Sequence, residues 1–89
     1  MSDILKAQAK RLIATRGALG YADSQLEFCR QIGIEKNVYN PFEKAKRPIT
    51  VDAARKIKRR FLVPLDWTID GDPAYLPNHL ARKLGHLVA

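Results

Sequence analysis

The sequence predicts an all-α domain, and three observations carry that expectation. Apolar residues recur at helical spacing in several short segments. Helix starts and stops are marked by capping residues and glycines. No run alternates with the period of a strand. Eighty-nine residues give room for one domain, and 46% hydrophobic with 28% charged residues is the balance of an ordinary globule.

The helical segments can be taken in order. In Asp3 to Arg16, Ile4, Leu5, Ala9, Leu12 and Ile13 are spaced as one inward face. Gly17 and Gly20 then loosen the chain, and Tyr21 is placed to anchor this loop to the core. Ser24-Gln25-Leu26-Glu27 reads as a reciprocal cap. The Ser24 side chain accepts from the Glu27 N–H, and the Glu27 side chain reaches back to the Ser24 N–H. That helix runs to Ile32 with Phe28, Cys29 and Ile32 inward, and Gly33 stops it. Glu35 to about Lys44 forms the next helix, so two short helices flank a tight glycine turn. Pro41 predicts either a kink or local irregularity in the second of them, the favoured reading, or an end near Tyr39 with Asn40 capping a new turn that Pro41 begins, because an interior proline removes a backbone bond and clashes with the preceding turn. Thr50 caps a helix from Val51 to about Phe61, with Ala53 or Ala54, Ile57 and Phe61 inward. Val63 to Ile69 reads as a short core helix containing Trp67. Asp70-Gly71-Asp72-Pro73 is a stop. Pro77 begins a last helix with Leu80, Leu84, Leu87 and Val88 on one face.

Charge narrows the function. Sixteen Lys and Arg against nine Asp and Glu give a formal +7. Between Lys44 and Arg60 lie eight cations and one acid, Asp52, so this segment carries the whole excess. Such a surface predicts an anionic partner, most often nucleic acid. Several classes are excluded. No apolar run approaches the roughly 20 residues of a membrane span, and Met1 to Lys6 lacks the apolar run of a secretory leader. Cys29 is the single cysteine, so neither an internal disulfide nor a cysteine-rich zinc site can form. His79 and His86 are two helical turns apart, too far for a simple two-histidine metal clamp. No glycine-rich phosphate loop or nucleophile triad stands out, so neither enzymatic activity nor a cofactor is expected.

The chain resembles the Cro/C1 type of helix-turn-helix proteins, the XRE family of transcriptional regulators, in a small phage-like subgroup. The run from Ser24 to Ile34 is similar to that family's S-Q-x-x-L-A-x-x-L-G-V. Tyr39, Glu43, Lys46 and Arg47 fall where its core residue, its glutamate and its basic loop belong. Val63 to Gly71 resembles V-S-L-D-W-L-L-x-G. The likeness covers roughly residues 9 to 72. It departs at Pro41 in the reading helix, at Ala45 where the family often has glycine, and at Pro64 in place of a capping serine.

The resemblance implies a five-helix phage-repressor-like bundle over residues 1–72, with residues 73–89 as a C-terminal helical extension for dimerisation or packing. It implies a cytoplasmic, bacterial or phage-encoded, nucleoid-associated regulator, a repressor or dual controller that binds a palindromic double-stranded DNA operator as a homodimer. Lys36, Asn37 and Asn40 would then contact bases, lysine suiting guanine and asparagine adenine. Gln25, Lys44, Lys46 and Arg47 would contact phosphates, which set position and salt dependence. Arg16 and Glu43 would form a structural ion pair. Pro64, Leu65, Leu80, Leu84 and Leu87 are the expected dimer interface, although the last helix could instead pack on its own core. RNA polymerase or another regulator is a further candidate partner. Two alternatives stay open: an antitoxin- or antiactivator-type protein-interaction module on the same fold, and a non-specific nucleic-acid binder.

Overall fold

The first helix meets the last core segment, and that closure organises the molecule. In the computed structural model, which describes residues 3–87, the elements are α1 (Asp3–Arg16), α2 (Gln25–Ile32), α3 (Lys36–Glu43), α4 (Val51–Phe61) and α5 (Asn78–Leu84). Wide helical turns follow α1 at Gly17–Tyr21 and precede α5 at Asp66–Asp70, and a 3-10 turn, Gly85–Leu87, follows α5. No strand occurs among the described residues.

The inward face of α1 is rotated from the one its apolar spacing predicts. Gln8, Ala9, Leu12 and Thr15 are buried, whereas Ile4 is 81% and Ile13 46% exposed. Polar side chains turn inward because each finds partners. The Gln8 amide oxygen accepts from the Ile49 N–H at 2.8 Å, and its nitrogen donates to the Ile69 carbonyl at 3.0 Å. Trp67, fully buried, donates its indole N–H to Thr15 Oγ1 at 3.0 Å, and Thr15 donates to the Arg11 carbonyl at 2.7 Å. Buried polar groups are tolerated when they are bonded in this way. Arg11 also donates to the Ile69 carbonyl at 3.1 Å. A Cβ on Gly71, whose φ is +76°, would sit 2.8 Å from the Arg11 guanidinium.

Caps set the ends of α2 and α4. Ser24 Oγ accepts from the Glu27 N–H at 3.0 Å, and Thr50 Oγ1 from the Ala53 N–H at 3.1 Å. The return arm expected at Ser24 is absent. The Ser24 N–H donates instead to the Tyr21 carbonyl at 3.2 Å, while the Glu27 carboxylate accepts from Gln31 Nε2. Gly33, at φ +74°, stops α2 and returns its N–H to the Cys29 carbonyl. At the end of α4 the same left-handed position is held by Leu62, at φ +61°, with its N–H on the Lys58 carbonyl at 2.8 Å. That conformation costs a branched residue roughly 1–2 kcal/mol relative to ordinary helix geometry, and the Leu62 side chain is 74% exposed.

α3 runs through Pro41 to Glu43 and does not end near Tyr39. Proline leaves the Asn37 carbonyl without its helical donor, but Asn37 is exposed, so water can supply the bond. Burial of Tyr39 and Phe42 on either side of Pro41 opposes the local penalty.

The core is one cluster. Phe28 stacks on Phe61 with centroids 5.7 Å apart and meets the edge of Tyr39 at 5.6 Å, while Tyr21 leans on both Phe28 and Phe61. Ile57, Val63, Trp67, Leu76, Leu80 and Leu84 complete it. The placement of Leu80 and Leu84 corrects the interface expectation. They are 0% and 1% exposed, inserted into the chain's own core, and present no surface to a second molecule. Leu87 is partly buried against the same cluster, and Pro64 and Leu65 keep part of their surface. Val88 lies outside the described residues.

Candidate nucleic-acid interface

The turn Gly33–Glu35 sets the first residues of α3 outward. Lys36 and Asn37 are exposed, Val38 between them and the core is 52% exposed, and Asn40, one turn on, is half-buried. The four residues therefore do not present equally: the two at the helix start are open to a large partner, and Asn40 is reached only from its exposed edge. Glu35 is extended at the cap position and its side chain bonds no backbone N–H there. After α3 the chain carries Lys44, Lys46 and Arg47, all exposed. Arg47 lines a groove of about 470 Å³ with Asn37, Val38, Pro41, Thr50 and Lys56, so polar groups from α3, the loop and the start of α4 share one depression.

The far end of α3 is tied down by charge. Glu43, with its side chain 4% exposed, accepts from Arg16 twice, Nε to Oε2 at 2.9 Å and Nη2 to Oε1 at 3.0 Å. Gln25 Nε2 donates to the same Oε1 at 3.0 Å. Arg16 Nη1 donates to the Tyr21 and Ala22 carbonyls. Three elements, α1, α2 and the turn after α1, thus converge on the end of α3. Gln25, expected at a phosphate, gives one of its two amide hydrogens to Glu43 and is half-buried. Its position at the start of α2 ties the two helices together.

This cluster shapes the titratable groups around it. The bonds to Glu43 hold the Arg16 guanidinium above its ordinary pKa. Burial, aided by the Glu43 charge, pushes the Cys29 thiol up to about 11, against the opposing pull of Arg16 and Lys36. Tyr39 is fully buried, and burial and the nearby Glu43 charge push its phenol strongly upward. Its hydroxyl lies by Glu43 without closing a hydrogen bond of good geometry. Cys29 and Tyr39 are therefore neutral packing groups near pH 7.

The basic face of α4 is divided. Arg55, Lys58, Arg59 and Arg60 are exposed, opposite the buried Ala53, Ala54 and Ile57. Lys56 lies 3.5 Å from Asp52. Arg60 turns toward α2, where it donates twice to Gln31 Oε1, at 3.0 and 2.7 Å, above the Phe61 ring. Sequence reasoning did not find this tie or the inward Gln8, because neither residue belongs to an apolar stripe. His79 and His86 are exposed, and no group of three potential metal ligands forms among the described residues. No helix there is long and apolar enough to cross a membrane. Comparison with family models, curated proteins and solved structures returned no match.

Proposed function

We propose that the chain is a sequence-specific double-stranded DNA-binding regulator with a phage-repressor-type helix-turn-helix, in which α2 lies over the backbone and α3 enters the major groove. One observation carries this reading: exposed Lys36 and Asn37 open a helix whose other end is latched by Arg16 and Gln25 through Glu43, directly beside exposed Lys44, Lys46 and Arg47. Readers must be held rigidly to discriminate between bases, and phosphate-binding cations must flank them to set register. Lys36 supplies donors to guanine O6 and N7, and Asn37 a donor and an acceptor to adenine. Asn40 reaches a base only at its exposed edge. Gln25 acts first as a brace for α3, and its contact to phosphate is secondary.

Such a module reads a palindrome as two copies on one face of the duplex. Selection from random duplex DNA at fixed salt tests the reading. A palindromic consensus supports it. Binding without consensus replaces it with non-specific nucleic-acid binding, and no binding leaves the protein-interaction module.

A further inference from the structure

One flank of α1 carries an apolar stripe that the chain's own core covers only in part. Ala9, Ile13 and Ala14 share that flank with Lys6 and Lys10, at i, i+3, i+4, i+7 and i+8, so the stripe runs about 12 Å along the helix. These residues line a depression of about 550 Å³ together with Lys44 and Ala45, just after α3, and Leu87 of the C-terminal turn. Ile13 is 46% exposed and takes no part in the main core cluster. Lys6, Lys10 and Lys44 are exposed, and none has an ion-pair partner among the described residues. The one acid in the lining, Glu43, is already committed to Arg16 and Gln25.

We infer that this groove docks an acidic amphipathic helix of another protein. The apolar edge of that helix lies against Ile13 and the alanines, and its carboxylates meet Lys6, Lys10 and Lys44. Shape supports this occupant: an open groove along a helix, floored by small side chains, lets a second helix approach closely and seat its apolar residues. Charge supports it too, since three unpaired cations around an apolar floor with no free carboxylate call for an anionic complement. A second copy of the chain fits poorly, because a two-fold contact joins a surface to itself and would set these lysines against one another. A nucleic-acid backbone would use the lysines but gain nothing from the apolar floor. Lys44 borders both this groove and the surface expected to meet phosphates. In a step that rests on the DNA-binding reading, the docked helix and a duplex therefore compete for the chain.

The probe is a labelled synthetic helix of about 16 residues, with leucines along one stripe and glutamates on both sides of it. Fluorescence anisotropy of this probe with the full chain, without DNA, tests the docking independently of DNA recognition. Binding should fall in the micromolar range and weaken as salt rises. Ile13→Glu should raise Kd about tenfold or more, and Lys6→Glu with Lys10→Glu by a similar factor. Ile13 is half exposed, so the fold should survive its change, as circular dichroism checks. Arg55→Glu with Arg59→Glu, the same loss of charge on the outer face of α4, should matter far less. Equal losses from the α1 and α4 reversals, or a probe with serines in place of leucines that binds as well, would mean charge attraction without a groove and overturn the assignment. So would Lys6 and Lys10 reversals that weaken duplex binding and leave the probe untouched. Adding unlabelled duplex should displace the probe; a chain that holds both at once overturns the competition and leaves the docking in place.

Discussion

Removing Arg16 should be among the most damaging single changes available in this chain. Its side chain is 11% exposed and that of Glu43 4%. The guanidinium makes two bonds to the carboxylate, at 2.9 and 3.0 Å, and two to the carbonyls of Tyr21 and Ala22, at 2.7 and 3.1 Å. Arg16→Ala deletes all four and leaves a nearly buried carboxylate with only the Gln25 amide as a partner. Breaking a buried pair on one side costs about 3–5 kcal/mol, and the residual exposure of Arg16 favours the lower end, about 3 kcal/mol. A domain of this length holds roughly 4–13 kcal/mol in total. The loss should lower Tm by about 12–24 °C, at about 4–8 °C per kcal/mol for small domains. Thermal and urea melts followed by circular dichroism give the number. Arg16→Met combined with Glu43→Met should lose less than Arg16→Ala, because no charge is left stranded. An Arg16→Ala chain that melts with the wild type, or single and double changes that simply add, would refute the latch.

Other changes act on separate parts of the molecule. Lys36→Ala and Asn37→Ala should each alter preference at one or two base positions, whereas Lys46→Ala should weaken all duplexes alike and reduce the salt slope by about 1; binding to a panel of single-base operator variants at several salt concentrations distinguishes these outcomes. Gln8→Leu should cost about 1–3 kcal/mol in a urea melt, since it strands the buried Ile49 N–H. Cys29, 1% exposed with its pKa raised to about 11, should resist alkylation at pH 7 until the chain unfolds, as read by mass spectrometry. An unfolded thiol ionises near pH 9 and the folded one only near 11, so the Cys29 contribution to stability is whole below about pH 9 and declines between the two values. Cys29→Ala should flatten that part of the pH profile in thermal melts.

Local chemistry made part of the fold legible. Ser24 and Gly33 bracket α2, and Thr50 starts α4, because capping is decided by residues a few positions apart. The rotation of α1 was not legible. Gln8 and Thr15 turn inward toward groups 41 to 61 residues away, and apolar spacing carries no record of such partners. Pro41 illustrates the same gap, as the local rule against it is outweighed by the burial of Tyr39 and Phe42. The stripe of Leu80 and Leu84 was visible, but an apolar stripe looks the same whether it is covered by its own chain or by another. At the candidate site, exposed Lys36, Lys46 and Arg47 follow from polarity and turn position. The use of Gln25 on Glu43 depends on the distance between α2 and α3, which only the folded chain supplies. The left-handed cap at Leu62 was not legible either, because nothing in the sequence marks a leucine for that position.

The bonds from α1 to Ile69 and Trp67 also carry a consequence for how the chain is made. α1 leaves the ribosome well before the residues that satisfy it, and Gln8, Arg11 and Thr15 wait for partners 52 to 61 positions downstream. Until those partners emerge, α1 has no indole or carbonyl to close upon, and α2 and α3 have no finished wall behind them. Closing so long a loop is slow compared with forming a single helix. Translation and assembly are therefore out of step. Leu12 and Phe28 lack part of their cover until Val63, Trp67 and Leu80 have been delivered, whereas the latch on the end of α3 needs no residue beyond Glu43.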